Sequence, residues 1–199
     1  MSSVPWPAGD SGRESSPQRD IVADQRFIGA PTDPDVANRI ARLQQLGVQL
    51  RPDPEFDRLA RELAEELGVP DGLAMVNFIE HDTQYFAGLY AKDPSVSREM
   101  SREDGWCPHT VLRKKPLPLR DVGAWARFET NRVADELGIQ SYLGAPLIGP
   151  DGTLGTICLI DSETHQEWRS DHVEVIAAKA RQVVELIYRR AGTTDTPAE

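Results

Sequence analysis

Cysteine is scarce in this chain: Cys107 and Cys158 are the two in 199 residues. That number cannot build the disulfide framework of a small secreted domain, so the thiols are expected to be reduced and the protein cytoplasmic. Basic residues are also in deficit. Lys and Arg number 22 against 32 Asp and Glu, a formal charge of −10 that repels nucleic acid and anionic membrane surfaces. No apolar run approaches the roughly 18 residues of a membrane span, and the N-terminus lacks the basic start and apolar core of a signal peptide. The four histidines find no partners at convincing zinc-ligand spacing. There is no internal repeat.

The chain is organised around Ser141–Asp161. Two β-rich runs, Tyr142–Ile148 and Leu154–Ile160, are joined by Gly149-Pro150-Asp151-Gly152, a dense turn signal in which Pro150 presets φ and Gly152 tolerates a positive one. Both runs carry apolar residues at odd and even positions, which predicts strands covered on both faces. Gly144 and Gly155 leave gaps in the pleat where another group could approach closely.

Residues 1–33 are rich in Pro, Ser, Gly and charge and are expected to be disordered or loosely attached. They leave a single domain over 34–191 and a polar tail over 192–199. Asp33-Pro34 reads as N-cap and first residue of a helix striped by Val36, Ile40 and Leu43 and stopped at Gly47. Asp53-Pro54 repeats the device, and Phe56, Leu59, Ala60, Leu63, Ala64 and Leu67 keep helical spacing up to Gly68. Leu73–Ile79 and Tyr85–Tyr90 are strand candidates joined by His81–Gln84. Ala91–Arg102 reads as loop and Leu117–Leu119 as a short strand. Ala124–Leu137 reads as loop passing into helix. Ser170 can cap a last helix, striped from Val173 to Ile187 and running to about Arg190.

This order of elements resembles the GAF domain family from about Asp35 to Arg190. The resemblance is carried by Asp121 after a Pro-Leu-Pro-Leu strand, by Phe128 and Asn131, and by Tyr142-Leu-Gly-Ala-Pro-Leu. Asp151-Gly152, Gly155–Asp161 and Trp168 complete it. It implies an α+β, layered fold: a central antiparallel sheet, helices on one face, and a small-molecule pocket covered by loops and short helices on the other. It also implies pairing of two copies through the first and last helices, here Asp35–Leu46 and Ser170–Arg190.

Within that frame the candidate ligand-binding residues are Asn77, Trp106, Cys107, His109, Asp121, Phe128 and Tyr142. Gly105–Val111 is the expected cover of the pocket, and Cys107 within it is either structural or a reactive thiol activated by His109. Cys158, between Ile157 and Leu159, reads as a small core residue. A disulfide between the two needs Cα atoms within about 7 Å, a distance the sequence leaves open. Asn77 is either bonded to nearby backbone or a polar fixture of a pocket wall. Asp121 and Asp161 each follow an apolar strand, where carboxylates commonly accept turn N–H groups.

The family's free methionine-R-sulfoxide reductases use a set of cysteines, of which Cys107 resembles one. No second cysteine stands in the other pocket-forming segments, so the resolving thiol that chemistry needs is missing there. Bilin attachment is disfavoured because Pro108 separates Cys107 from His109, and haem would require His109 or His81 as an axial ligand. The cofactor is left unassigned. The function expected is a non-enzymatic sensor that binds a small molecule and signals in trans to an effector protein, with a thiol redox role for Cys107 and His109 as the alternative.

Overall fold

The structure is a computed structural model that describes residues 30–124, 132–163 and 168–192. Along the chain run α1 (Val36–Gln45), α2 (Pro54–Glu66), β1 (Leu73–Ile79), β2 (Thr83–Tyr90), β3 (Glu99–Ser101) and α3 (Cys107–Arg113). β4 (Leu117–Leu119), a 3-10 turn (Val122–Ala124), α4 (Arg132–Leu137), β5 (Ser141–Gly149), β6 (Gly152–Asp161) and α5 (Ser170–Arg190) follow. The strands form one antiparallel sheet in the order β3-β2-β1-β6-β5-β4.

The β5–β6 hairpin lies inside that sheet, and its residues are buried on both faces almost without interruption, as the unbroken apolar runs predict. Pro150-Asp151 is the two-residue loop, closed by the Gly149–Gly152 pair, and Gly152 takes a φ of 127°.

Alternation along each strand divides the core into two layers. Ala74, Val76, Phe78, Leu143, Ala145, Ile157 and Leu159 face α1, α2 and α5 in the larger one. Met75, Ile79, Tyr142, Cys158 and Ile160 face α3, β4 and the chain around Val122 and Ile139 in the smaller. Of the functional candidates, Trp106, Cys107 and Tyr142 belong to the smaller layer, and Asn77 is buried on the strand face it shares with Met75 and Ile79.

Local signals explain the helices, with two exceptions. At α2 the Asp53 carboxylate accepts the N–H groups of Glu55 and Phe56, Pro54 occupies the first turn, and Gly68 ends the element at a φ of 71°. α1 starts later than Asp33-Pro34 predicts, with Asp35 at the N-cap and making no side-chain cap bond. Asp33 instead pairs with the buried Arg39, whose Nε donates to the Ile79 carbonyl 3.3 Å away. The other Asp33 carboxylate oxygen accepts the N–H of Asp35 at 3.1 Å, so the side chain serves the guanidinium and the entry to the helix together. At α5 the N-cap is Arg169, and Ser170 is the first helical residue. The predicted loop Ala91–Arg102 contains β3, a three-residue edge strand too short to leave a periodic trace.

Candidate functional site

Gly105 adopts a φ of 78°, turning the chain so that Trp106 and Cys107 enter the smaller core layer at the start of α3. Trp106 is 2% exposed and Tyr142 1%, with ring centroids 5.4 Å apart. The Tyr142 ring lies over Gly144, where an added Cβ would stand 2.0 Å from the phenol oxygen. This is the close approach that the gap in the pleat suggested. Gly155 shows the second, against the Asn77 carbonyl at 2.3 Å. Trp106, Cys107, Val111, Tyr142, Phe86 and Met75 pack together as a buried cluster beneath α3. The resemblance implies a ligand between the sheet and the Gly105–Val111 cover; in the structure buried side chains pack there.

Four of the predicted residues meet in this layer. The Cys107 and Cys158 sulfurs are 3.4 Å apart and are not bonded to each other. Tyr142 donates its hydroxyl toward the Cys107 sulfur at 3.6 Å, and the Tyr142 and Thr110 hydroxyls are 2.8 Å apart. The Asn77 amide donates to Gln84 at 2.8 Å, and Gln84 donates in turn to the Ser101 and Asp104 carbonyls at 2.9 and 2.7 Å. Asn77 is thus bonded to a side chain, and the relay ties the β3 region to the sheet.

Hydrogen bonding decides the charge state of the thiol pair. The bond from Cys158 acts most strongly on Cys107. Burial opposes it, but with Thr156, Asn77 and Tyr142 added the Cys107 thiol comes down from its ordinary 9.0 to about 6. The hydrogen bond with Cys107 and then burial push the Cys158 thiol well above its ordinary value. Burial, then the neighbouring sulfurs, push Tyr142 up as well. Cys107 is therefore the sulfur that ionises first, and Cys158 the one that keeps its proton.

His109 and Asp121 lie elsewhere. Both line a groove of about 920 Å³ between α3 and β4, with Leu112, Arg113, Pro118 and Arg120. Asp121 accepts the Gly123 N–H at 2.9 Å, the turn role expected of a carboxylate after a strand. Phe128 lies outside the described residues. Among the described residues no cluster of three His, Cys, Asp or Glu is arranged to hold a metal ion.

A second concavity was not anticipated. Where β1 begins and β6 ends, a cleft of about 320 Å³ opens on the same side of the sheet. Leu73, Val96, Leu137, Ile139 and Ile160 make it apolar, and Asp71, Lys92, Asp93, Ser97 and Asp161 supply its polar groups. Lys92 pairs with Asp71 at 2.6 Å. The Asp93 carboxylate accepts the Ser95 hydroxyl and N–H at 2.6 and 2.8 Å, which lower its pKa, so it is ionised at neutral pH. Sequence reading missed the cleft because its residues come from four separated segments, each an ordinary strand end or loop.

The family model that matches the chain is the GAF domain, over residues 51–187. No curated protein matches. Among solved structures, the GAF domain of an Acinetobacter phosphoenolpyruvate-protein phosphotransferase superposes with a TM-score of 0.55 at 14% identity, covering 81% of this chain and 98% of that one. A free methionine-R-sulfoxide reductase from Neisseria meningitidis, in complex with its substrate, gives 0.55 at 13% identity, with 84% and 98% covered. The second GAF domain of DevS from Mycobacterium smegmatis gives 0.53 at 16%, with 70% and 96% covered. At such identities the likeness speaks for the fold alone. With the six-stranded antiparallel sheet and its two layers in place, the chain belongs to the GAF domain family.

Proposed function

We propose that this GAF domain is a small-molecule sensor whose ligand sits in the cleft at the β1–β6 end of the sheet. The observation that carries the reading is the cleft itself. Its volume of about 320 Å³ falls at the lower end of the range for ligand pockets, and its aliphatic walls carry a few polar groups, as such sites do.

The polar groups narrow the ligand class. Three carboxylates, Asp71, Asp93 and Asp161, stand against the single ammonium of Lys92, on a chain of net charge −10. A phosphate or other anion entering there meets repulsion, whereas an amine or a neutral molecule with an apolar body does not. A compound of amino-acid or amine size suits both the volume and the charge. The cleft borders the 91–98 connection, which leads into β3, so a bound ligand would bias the position of that connection.

Thermal-shift titration of the full chain with free amino acids, aliphatic amines, nucleosides and nucleoside monophosphates tests this. A ligand at about 100 times its Kd stabilises the fold by about 2.7 kcal/mol, a rise of several degrees in Tm. We expect it from an amine, amino acid or nucleoside and not from a nucleotide, and we expect Ser162→Trp, at the exposed mouth of the cleft, to abolish it. A shift with nucleotides alone, one that survives Ser162→Trp, or no shift in any class would overturn the assignment.

Pairing of two copies through α1 and α5, and signalling in trans to an effector protein, belong to the same proposal. Leu43, Ile176, Ala180, Val183, Val184 and Ile187 are buried within the chain, so pairing would rest on the half-buried Val36, Ile40, Val173 and Ala177.

A further inference from the structure

We propose that Cys107 and Cys158 form a dithiol that a small hydroperoxide converts reversibly into an intramolecular disulfide, making the smaller core layer a redox-sensitive element. The inference is independent of the cleft and of its ligand.

The geometry singles out this pair. The two sulfurs stand 3.4 Å apart, and a disulfide requires about 2.05 Å, so an approach of about 1.4 Å closes the bond. Cys158 sits opposite Met75 and Gly144 on the neighbouring strands, and Gly144 places no side chain beside it. Around the sulfurs lies a polar patch inside an otherwise apolar layer: Asn77, Thr110, Tyr142 and Thr156 are all fully buried. A pair of thiols kept only as small core residues has no use for such donors. A thiolate does: the Tyr142 hydroxyl donates toward the Cys107 sulfur at 3.6 Å, and a donor directed at a sulfur favours its charged form.

Exposure sets the order of events. Cys107 is 6% exposed and Cys158 0%, so an oxidant from solvent meets Cys107 first. The Cys107 thiolate attacks one peroxide oxygen; the O–O bond breaks, and the departing alkoxide or hydroxide takes up the proton that Cys107 released. The product is a sulfenic acid at Cys107. The Cys158 sulfur then attacks that sulfur, forming the S–S bond and breaking the S–O bond, and hydroxide leaves with the Cys158 proton as water. In sum two thiols are oxidised by two electrons and one hydroperoxide is reduced to an alcohol and water. A buried Cys107 limits the oxidant to hydrogen peroxide or a compact alkyl hydroperoxide. The new bond would tie the start of α3 to the central strand β6 across 51 residues of chain.

The test uses the full chain, reduced, freed of reductant and treated with hydrogen peroxide, then alkylated under denaturing conditions and mapped by mass spectrometry. The expected result is the loss of two hydrogens from the intact mass and a peptide pair linking Cys107 to Cys158. A dithiol reductant should reverse both, and the oxidised form should show a higher urea midpoint. In Cys158→Ala the reaction should stop at Cys107, trapped there by dimedone; in Cys107→Ala, Cys158 should remain alkylatable. The proposal is overturned if both cysteines stay alkylatable after peroxide, if Cys107 goes to sulfinic acid while Cys158 stays a thiol, or if linkage occurs only between chains. Mapping of the wild-type chain alone decides the question should either variant fail to fold.

Discussion

At the scale of single residues, Gly144 and Tyr142 are two halves of one arrangement. The phenol ring occupies the volume a side chain at 144 would need, and its hydroxyl meets Thr110 and Cys107. Gly144→Ala forces the buried ring out of that position. We expect a loss of about 1–3 kcal/mol, the usual cost of overpacking a filled core, measured by urea denaturation. Tyr142→Phe keeps the ring and removes the hydroxyl, at about 1 kcal/mol, because Thr110 retains its bond to the Trp106 carbonyl. Peroxide oxidation of Cys107 should depend on pH in a characteristic way. With the thiol held near 6, the rate rises through that region and levels off above it, whereas an ordinary thiol keeps gaining up to about pH 9. Stopped-flow or quenched-flow alkylation across about pH 5–9 would show which curve applies. The chemistry of Cys107 as a candidate was visible in the sequence, but its partner was not. Cys158 reads as a core residue from its neighbours, and only strand register carries it beneath α3.

At the scale of elements, α2 and α5 are joined by a clamp no helical stripe announces. Lys179 is 4% exposed, and its ammonium lies 2.8 Å from both Glu62 and Glu66. The hydrogen bond from Lys179 lowers the pKa of Glu62 against the smaller opposing effect of burial. For Lys179 burial is the largest single influence and pulls downward, yet the two carboxylates together prevail and raise it. A depressed Glu62 contributes stability that is present above its unfolded value of 4.5 and lost as pH falls through the lower folded one. A raised Lys179 contributes stability present below 10.5 and lost as pH rises through the higher folded value. The clamp is therefore at full strength between those limits. Lys179→Met should destabilise the fold by about 1–2 kcal/mol at neutral pH, since it removes one side of the clamp and leaves the partly solvated Glu62 and Glu66 carboxylates unpaired. Its urea midpoint should change less than that of wild type on acidification below about pH 4. The N-terminus of α2 offers a second check. Asp53 caps the helix and receives Arg190 at 2.6 Å, so Asp53→Ala should cost about 1–2 kcal/mol, with loss of helical signal at lower temperature.

At the scale of the whole molecule, one sheet separates two core layers of different character. The layer facing α1, α2 and α5 is large and mainly apolar, with the buried Lys179 where α2 and α5 meet; the layer facing α3 holds both cysteines and the buried Thr110 and Tyr142. Proposed pairing through α1 and α5 predicts a sedimentation mass of twice 22.1 kDa, and Ile40→Asp should return it to the single-chain value. A single-chain mass for wild type at high micromolar concentration would remove pairing. No helix among the described residues is long and apolar enough to cross a membrane.

The sequence by itself determined the hairpin, the cap of α2, the extent of α5 and the family, because each rests on neighbours in the chain: a turn dipeptide, a capping carboxylate, a helical stripe, an ordered set of motifs. It also named Asn77, Trp106, Cys107 and Tyr142, residue types that stand out against their surroundings. Tertiary structure alone decided that the space beneath α3 is filled, that His109 lines a groove while Cys107 is buried in the core, and that a cleft opens where β1 begins and β6 ends. It also brought Cys158 against Cys107, across 51 residues. Those outcomes depend on which strands lie side by side and in what register, and a one-residue slip in register would turn every side chain of β6 to the opposite face.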